Sequence, residues 1–455
     1  MSNKNTVYRK VLFLAVPMMI QNGITNAVGL VDNLMVGSLG TESMSAVSIA
    51  GQLIFVFNLA IFGGLSGPGI YGAQYYGQGN REGFKNIFRL KIWIGLLVTI
   101  AGLFVFWLFS PQLLGLYLRG EAQGINAALT LELGVQYISV MMVGLLPFAI
   151  TSIYSGSIRE TGDSMLPMIA GISAVFTDII FNYVLIYGKF GAPRLEVRGA
   201  AIATVISRFV ELAVILIGSH ANKKKYSFLE GMYRTLKIPL KKMSAVIIKG
   251  LPIALNEFLW AGGVAVLTQT YAVRGLNVIA GMNISNAICN LLNVVFIAMG
   301  NAVGIIIGHM LGAEKQEEAK KSSVKLMWFT GIICGLLGVI LIALSGVFPL
   351  LYNTTDEVRY YGRMFIIINA LFFPVQGFLN ALYFTIRSGG KTLITFLFDS
   401  VFTWVVCVSA ALVLCYFTQF SIFVIFAIIQ ALDLVKVIIG YILIKKGIWV
   451  NKLVE

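Results

Sequence analysis

Apolar runs of about 20 residues return again and again along this chain, each long enough to cross a bilayer as a helix. About twelve can be marked, at roughly 11–36, 44–70, 87–110, 131–155, 165–188, 196–218, 246–272, 278–307, 323–348, 360–386, 393–416 and 420–445, with Gly, Pro, Asn or charge clusters between them. A water-soluble core cannot absorb that much apolar surface, because hydrophobic residues make up 58% of the chain and charged ones only 12%. The sequence predicts an all-α integral membrane protein. Lys4, Arg9 and Lys10 precede the first span and no small-residue cleavage site follows it, so we expect it to be retained rather than removed as a signal peptide.

The net charge of +14 raises the question of nucleic acid, but its distribution argues against that partner. If the N-terminus is cytoplasmic, about 25 of the 34 Lys and Arg fall on that side and about seven on the other. The cytoplasmic ones concentrate in "NREGFKNIFRLK", "ANKKKYSFLEGMYRTLKIPLKK", "GAEKQEEAKKSSVK" and Lys445–Lys446. This positive-inside pattern places both termini in the cytoplasm of a multi-pass cell-membrane protein. The basic segment 219–245 then links an N-terminal lobe, 1–218, to a C-terminal lobe, 246–455, and can touch anionic lipid headgroups.

Sliding the chain by about 235 positions superposes Pro17 on Pro252, Gly40 on Gly275, Asn58 on Asn293, Gly69 on Gly304, Gly77 on Gly312 and Lys85 on Lys320. A slightly smaller shift pairs Pro147 with Pro374 and "RETGDS" with "RSGGKT". Six spans per half is an even number, so the halves share one orientation and should be related by an axis along the membrane normal. The expected architecture is twelve transmembrane helices in two pseudo-symmetric six-helix bundles, as in transporters that rock two bundles around a central cavity. Gly300, Gly304, Gly308 and Gly312 form a small-residue ribbon, with Leu65, Gly69, Ala73 and Gly77 as its counterpart; helix packing is its simplest use. Pro17 and Pro252 each remove one helix hydrogen bond and are candidate hinges.

"VDNLMVGSLG" in the first span, "GAQYYGQGN" after the second, "RETGDS" after the fourth and "FTDIIFNYVLIYGKFGAPRLEVRGAAIATVISR" across the fifth and sixth resemble the multidrug and toxic compound extrusion (MATE) transporters. The resemblance covers nearly the whole chain. It implies a V-shaped pair of six-helix lobes exporting organic, often cationic, compounds in exchange for protons or sodium ions.

Acids inside such spans demand an account. Counted at about 1.5 Å per residue from the outer helix ends, Asp32 lies about 6 Å in, Asn182 and Thr204 about 9 Å, and Asp178 about 15 Å. Asp178 and Asn182, four apart, share a helix face. An ionised carboxylate there costs about 2.5–3.5 kcal/mol, so it must meet a partner, a bound cation, a proton or water. Carboxylate, amide and hydroxyl oxygens suit a hard cation or a shared proton. The resemblance implies that Asp32, Asp178, Asn182 and Thr204 are the N-terminal lobe's cation site, with H+ or Na+ as the coupling ion; helix bridging is the alternative.

In the second half, Glu257 and Asp399 have Asn22 and, approximately, Gly171 as counterparts, so the halves are not chemically equivalent. Relatives of the often sodium-coupled type carry acids in spans seven and ten, whereas "NALFFPVQGFLNAL" has none and Glu257 stands about a turn away, so that site is not carried over. Glu257 and Asp399, with Asn22, remain candidates for cationic substrate or a second cation. Tyr154, Trp260 and Tyr383 could hold a cationic drug by their ring faces.

Other signals point to structure. Arg208 and Glu211 are expected to pair with each other or a neighbour. "SGGKT" lacks the first glycine of a phosphate loop, since Thr385 stands there. His220 and His309 form no zinc motif, and Cys289, Cys334, Cys407 and Cys415 read as small hydrophobes, so we expect neither an enzyme nor a cofactor nor a bound catalytic metal. The expected protein is a monomeric secondary exporter of small organic compounds in contact with membrane lipids. The alternative is a flippase for lipid-linked saccharides; a cavity for a pyrophosphate lipid should be rich in Lys or Arg, and we expect only Arg208 and Lys436 well inside spans.

Overall fold

The computed structural model describes residues 4–118 and 126–454, without the side chains of residues 4–6, 30 and 240–242. The side chains of Lys4 and of the lysines at 241 and 242 of the basic segment, and the chain ends of the two expected lobes, therefore lie outside the description.

Twelve helices are long and apolar enough to cross a membrane. We number them by span: α1 Lys4–Gly37, α2 Thr41–Gln78, α3 Arg81–Leu118, α4 Ala127–Glu160, α5 Met165–Tyr187, α6 Glu196–Ala221, α7 Leu240–Ala272, α8 Leu276–Gly312, α9 Gln316–Leu344, α10 Asp356–Ser388, α11 Thr392–Phe417 and α12 Ile422–Lys446. Three are irregular. A 3₁₀ turn at Met142–Gly144 interrupts α4, two π-helical stretches, Leu397–Val401 and Thr403–Val408, occupy the middle of α11, and α12 is broken at Leu432. Apolar side chains point outward as well as inward: Trp93, Leu97, Ile100, Phe104 and Trp107 make an exposed stripe at helical spacing on α3, as a lipid-facing helix requires.

The chain forms two compact units. The first comprises Met1–Met19, Ile70–Asn80 and Ser244–Glu455, and the second Ile20–Gly69 and Arg81–Met243. In the first unit Leu14 and Met18 join Met299, Val303, Leu311 and Met327 in one buried cluster. In the second, Phe57, Ile61, Ile138, Leu145, Ile186 and Ala201 form the core.

α2 and α8 run further than their apolar stretches predict. At 38 residues α2 is about 57 Å long, well beyond the roughly 30 Å of hydrocarbon. The extra turns are "GAQYYGQ", and they pack within the first unit against the end of α8. A Cβ on Gly77 would overlap the backbone carbonyl of His309, and one on Gly312 would overlap that of Gln74. The small-residue ribbon is thus a backbone crossing. Gln74, fully buried, donates to the carbonyls of Ser388 (2.8 Å) and Asn451 (3.2 Å) and accepts from Leu453 N (2.7 Å), fastening the C-terminal segment to α10.

"RETGDS" has an equally physical basis. Gly162 takes a left-handed turn conformation, as does its counterpart Gly390. Asp163, one residue before the N-cap Ser164, then accepts from Met165 N (2.8 Å) at the start of α5 and also meets the Tyr226 hydroxyl and Lys225 Nζ, both at 2.5 Å. Burial alone would raise the Asp163 carboxyl, but the bonds from Lys225, Tyr226 and Met165 N outweigh it and hold it below the usual carboxylate range.

The basic segment after α6 is folded rather than loose. Tyr226, Phe228, Leu229 and Met232 are buried in the second unit, with Phe228 against Phe84 and Phe88. Arg89 Nε donates to Met232 O (3.3 Å) and Trp93 Nε1 to Leu236 O (3.1 Å). Lys223, Lys224 and Lys225 remain on its surface.

Candidate cation site in the second unit

Four side chains expected at a cation site come from α1, α5 and α6, all within the second unit. α6 lies tight on α5 because Gly199 has no side chain: a Cβ there would come within 2.6 Å of Leu185 O. α1 is fixed to α5 a turn beyond the acids, where Tyr187 Oη donates to Met35 O (3.2 Å) and meets Ser38 Oγ (2.9 Å). Between these ties, Asn182 Nδ2 donates to Asp32 Oδ1 (2.8 Å) and to Asp178 Oδ2 (3.1 Å). Asp178 and Asn182 are buried and Asp32 is half-buried. Thr204 and Ser207 of α6 lie beside Asp178, and Tyr137 of α4 lies beside Thr204.

One amide therefore serves two carboxylates. Asp178 Oδ1 and Asn182 Oδ1 are buried without a hydrogen-bond partner, which costs about 1–3 kcal/mol per group unless something fills the gap. Among the described residues no ion pair within 4 Å neutralises Asp32 or Asp178. Two carboxylates this close repel one another in low dielectric, and the oxygen atoms around them are of the kind that accept a proton or a small hard cation. No group of three or more His, Cys, Asp or Glu suited to a metal ion occurs among the described residues, and all four cysteines are free and buried.

The other candidates lie elsewhere. In the first unit, Asn256 Nδ2 donates to Asp399 Oδ2 (2.9 Å) and to Tyr383 Oη (2.8 Å), while Ser400 Oγ donates to Asn256 Oδ1 (2.7 Å). Glu257 pairs with Arg387 Nη2 at 3.3 Å, and Arg387 lies over the Tyr383 ring at 5.2 Å. Asp399, Tyr383 and Glu257 are thus neighbours, joined through Asn256 and Arg387, neither of which was expected. Trp260 is exposed on α7. Tyr154 is buried beneath the folded basic segment, with its hydroxyl on that of Tyr233. Asn22, half-buried, lies on α1 in the second unit. Pro17 and Pro252 both sit inside helices, α1 and α7.

Of the two partners expected for Arg208, it takes a neighbour: it donates to Gly144 O (3.1 Å), which the 3₁₀ turn in α4 offers, and covers the Phe148 ring. One expectation needs correction. Arg208 and Lys436 are not the only basic groups well inside spans. Lys91 is buried on α3 and bonds Glu160 (2.5 Å) and Ser157 (3.0 Å) of α4, and Arg387 is buried on α10.

The MatE family model matches residues 17–184 and again 252–417, one copy in each half of the chain. The chain belongs to the MatE family. It is a multi-pass membrane transporter rather than an enzyme, and transporters of this family need no cofactor. It is 24% identical to the probable multidrug resistance protein YoeA of Bacillus subtilis over 92% of this chain and 89% of that one. It is 22% identical to the probable multidrug resistance protein NorM of Thermotoga maritima, over 91% and 87%. Its fold matches an outward-facing multidrug resistance MATE transporter of the MOP superfamily with a TM-score of 0.80 at 19% identity, covering 96% of each chain. The twofold match of the MatE model gives the internal repeat an independent footing.

Proposed function

We propose that this MatE protein is a secondary active multidrug exporter that antiports small organic compounds, chiefly cationic aromatic ones, against H+ or Na+ by alternating access. The observation that carries the reading is the Asp32–Asn182–Asp178 cluster: two intramembrane carboxylates share one amide and leave buried oxygens unpartnered. Asp32, Asp178, Asn182 and Thr204 would hold the coupling ion, and Pro17 would let α1 bend in response. One charge moving inward down 100 mV supplies about 2.3 kcal/mol, nearly a fiftyfold gradient. The relatives' names as multidrug resistance proteins support the substrate class. The Lys and Arg distribution supports a cell-membrane protein with both termini cytoplasmic, acting as a monomer with an N-terminal lobe over 1–218 and a C-terminal lobe over 246–455.

The saccharide-lipid flippase gains basic residues inside spans but not free ones. Lys91 is held by Glu160, Arg387 by Glu257 and Lys436 by Asp433, and Arg208 is engaged by Gly144 O and the Phe148 ring, so a pyrophosphate would have to displace buried contacts at each. Dye efflux from everted vesicles, with a pH gradient and a sodium gradient imposed separately, tests the proposal. Uphill ethidium movement on either gradient is expected; binding of a lipid pyrophosphate with no response to cations would replace export with flipping.

A further inference from the structure

The segment after α6 is not evenly basic once folded. Residues 222–239 carry Lys223, Lys224, Lys225, Arg234 and Lys237 against one acid, Glu230. Lys225 is paired with Asp163. Arg234 and Lys237 are exposed, and neither has an ion-pair partner among the described residues. The chain that carries these two is held from two sides. The Tyr233 hydroxyl meets that of Tyr154, and its ring lies 15° from the plane of the His220 ring, 6.1 Å between centroids. Leu236 O accepts from Trp93 Nε1 (3.1 Å), and Lys237 N donates to Thr235 Oγ1 (3.1 Å). Trp93 sets the depth of this stretch. It is the first residue of the exposed apolar stripe on α3, and the exposed residues before it on that helix are Arg81 and Glu82. Hydrocarbon therefore begins near Trp93, and an indole with its N–H engaged is a side chain suited to such a boundary. The bond to Leu236 brings residues 233–237 to the same level, beside the lipid-facing stripe. There the exposed Tyr233 and Leu236 present apolar surface next to Arg234 and Lys237.

From this placement we infer that residues 233–237 are an interfacial anchor that binds anionic phospholipid headgroups, with Arg234 and Lys237 engaging the phosphates while Trp93, Tyr233 and Leu236 lie against the acyl boundary. Unpaired cations beside apolar side chains at headgroup level are what such an anchor requires. The partner is the bilayer's own lipid rather than a soluble anion, because the apolar surface next to the two cations continues into the α3 stripe. Arg234 offers a planar fork to phosphate oxygens and Lys237 a compact charge, each on an apolar stem that can follow the boundary. Composition lets any lysine of the segment touch headgroups; the fold selects two cations and fixes their depth. Because Tyr154, His220 and Trp93 already hold the stretch in place, little ordering is left to oppose binding. The inference does not depend on which ion couples transport or which compound is exported.

The four native cysteines are buried, so Thr235→Cys can be labelled selectively with a bimane fluorophore in the full-length protein. The labelled protein is reconstituted in phosphatidylcholine vesicles containing a small, equal fraction of either spin-labelled phosphatidylglycerol or spin-labelled phosphatidylcholine. Both should quench the fluorophore, and phosphatidylglycerol should do so as if locally enriched, by roughly fivefold for each engaged cation. The preference should weaken as salt is raised. Adding Arg234→Gln with Lys237→Gln should bring the two lipids level while quenching by phosphatidylcholine persists, and Tm should not move, since both side chains are exposed and unpaired. Arg234→Lys with Lys237→Arg should keep the preference. Equal quenching by the two lipids before substitution, quenching by neither, or a preference that survives the double Gln substitution would each overturn the inference. So would loss of the preference to inorganic phosphate at constant ionic strength, which would make the two cations a site for a soluble anion.

Discussion

Asn182 donates a side-chain amide hydrogen to Asp32 at 2.8 Å, joining α5 to α1 where the first span carries its acid. The same nitrogen donates to Asp178 on its own helix, so one amide bridges the two carboxylates. Asn182→Ala removes both bonds. We expect gradient-driven efflux in vesicles to fall at least about tenfold and thermal stability to drop by about 1–3 kcal/mol. Efflux at the unsubstituted rate would mean that the amide is a bystander.

The folded basic segment is anchored through Asp163. Because the folded-state carboxyl is held low, its contribution is fully present above about pH 4 and is lost as pH falls below that value. Asp163→Asn should therefore loosen the segment at neutral pH much as strong acid does. Faster trypsin cleavage after Lys223–Lys225 checks this; cleavage no faster than in the unsubstituted protein would show that Tyr226, Phe228 and Met232 hold the segment without the aspartate.

The orientation drawn from Lys and Arg puts Lys224 and Lys320 on the cytoplasmic side. Single cysteines at these positions should react with an impermeant maleimide only in everted vesicles. Labelling in intact cells would reverse the topology.

The crossing of α2 and α8 leaves no room for a side chain at Gly312. Gly312→Ala should cost about 1–3 kcal/mol through overpacking. Gly115→Ala, where nothing lies within 4 Å of the new methyl, should leave Tm nearly unchanged. Equal effects would show that the crossing is not tight.

The sequence made twelve spans legible because lipid demands long apolar runs, and it made the repeat legible because prolines and glycines kept their order. Asp178 and Asn182 declared their shared face by spacing alone. What stayed hidden depends on distant pairs. Lys91, the last base of "NREGFKNIFRLK" at the edge of an apolar run, looks like a boundary residue until Glu160, 69 positions on, is placed against it. Arg387 reads as loop from local sequence, because its partner Glu257 lies 130 positions earlier. Tyr226, Phe228 and Met232 were masked by the lysines around them, although three large apolar side chains in "KKKYSFLEGMYR" were the available sign that the segment packs. The π-helical turns of α11 leave no mark in composition at all.

Coupling at Asp32 is the central claim, and Asp32→Asn is its most direct test, since it keeps the side chain's shape and hydrogen-bonding capacity while removing the charge. The measurement is uphill transport of a cationic dye by reconstituted vesicles on an imposed proton or sodium gradient. The account predicts correctly inserted protein with a Tm close to the unsubstituted value and no gradient-driven accumulation. Accumulation at the unsubstituted rate would contradict it and leave Asp32 as a structural tie between α1 and α5.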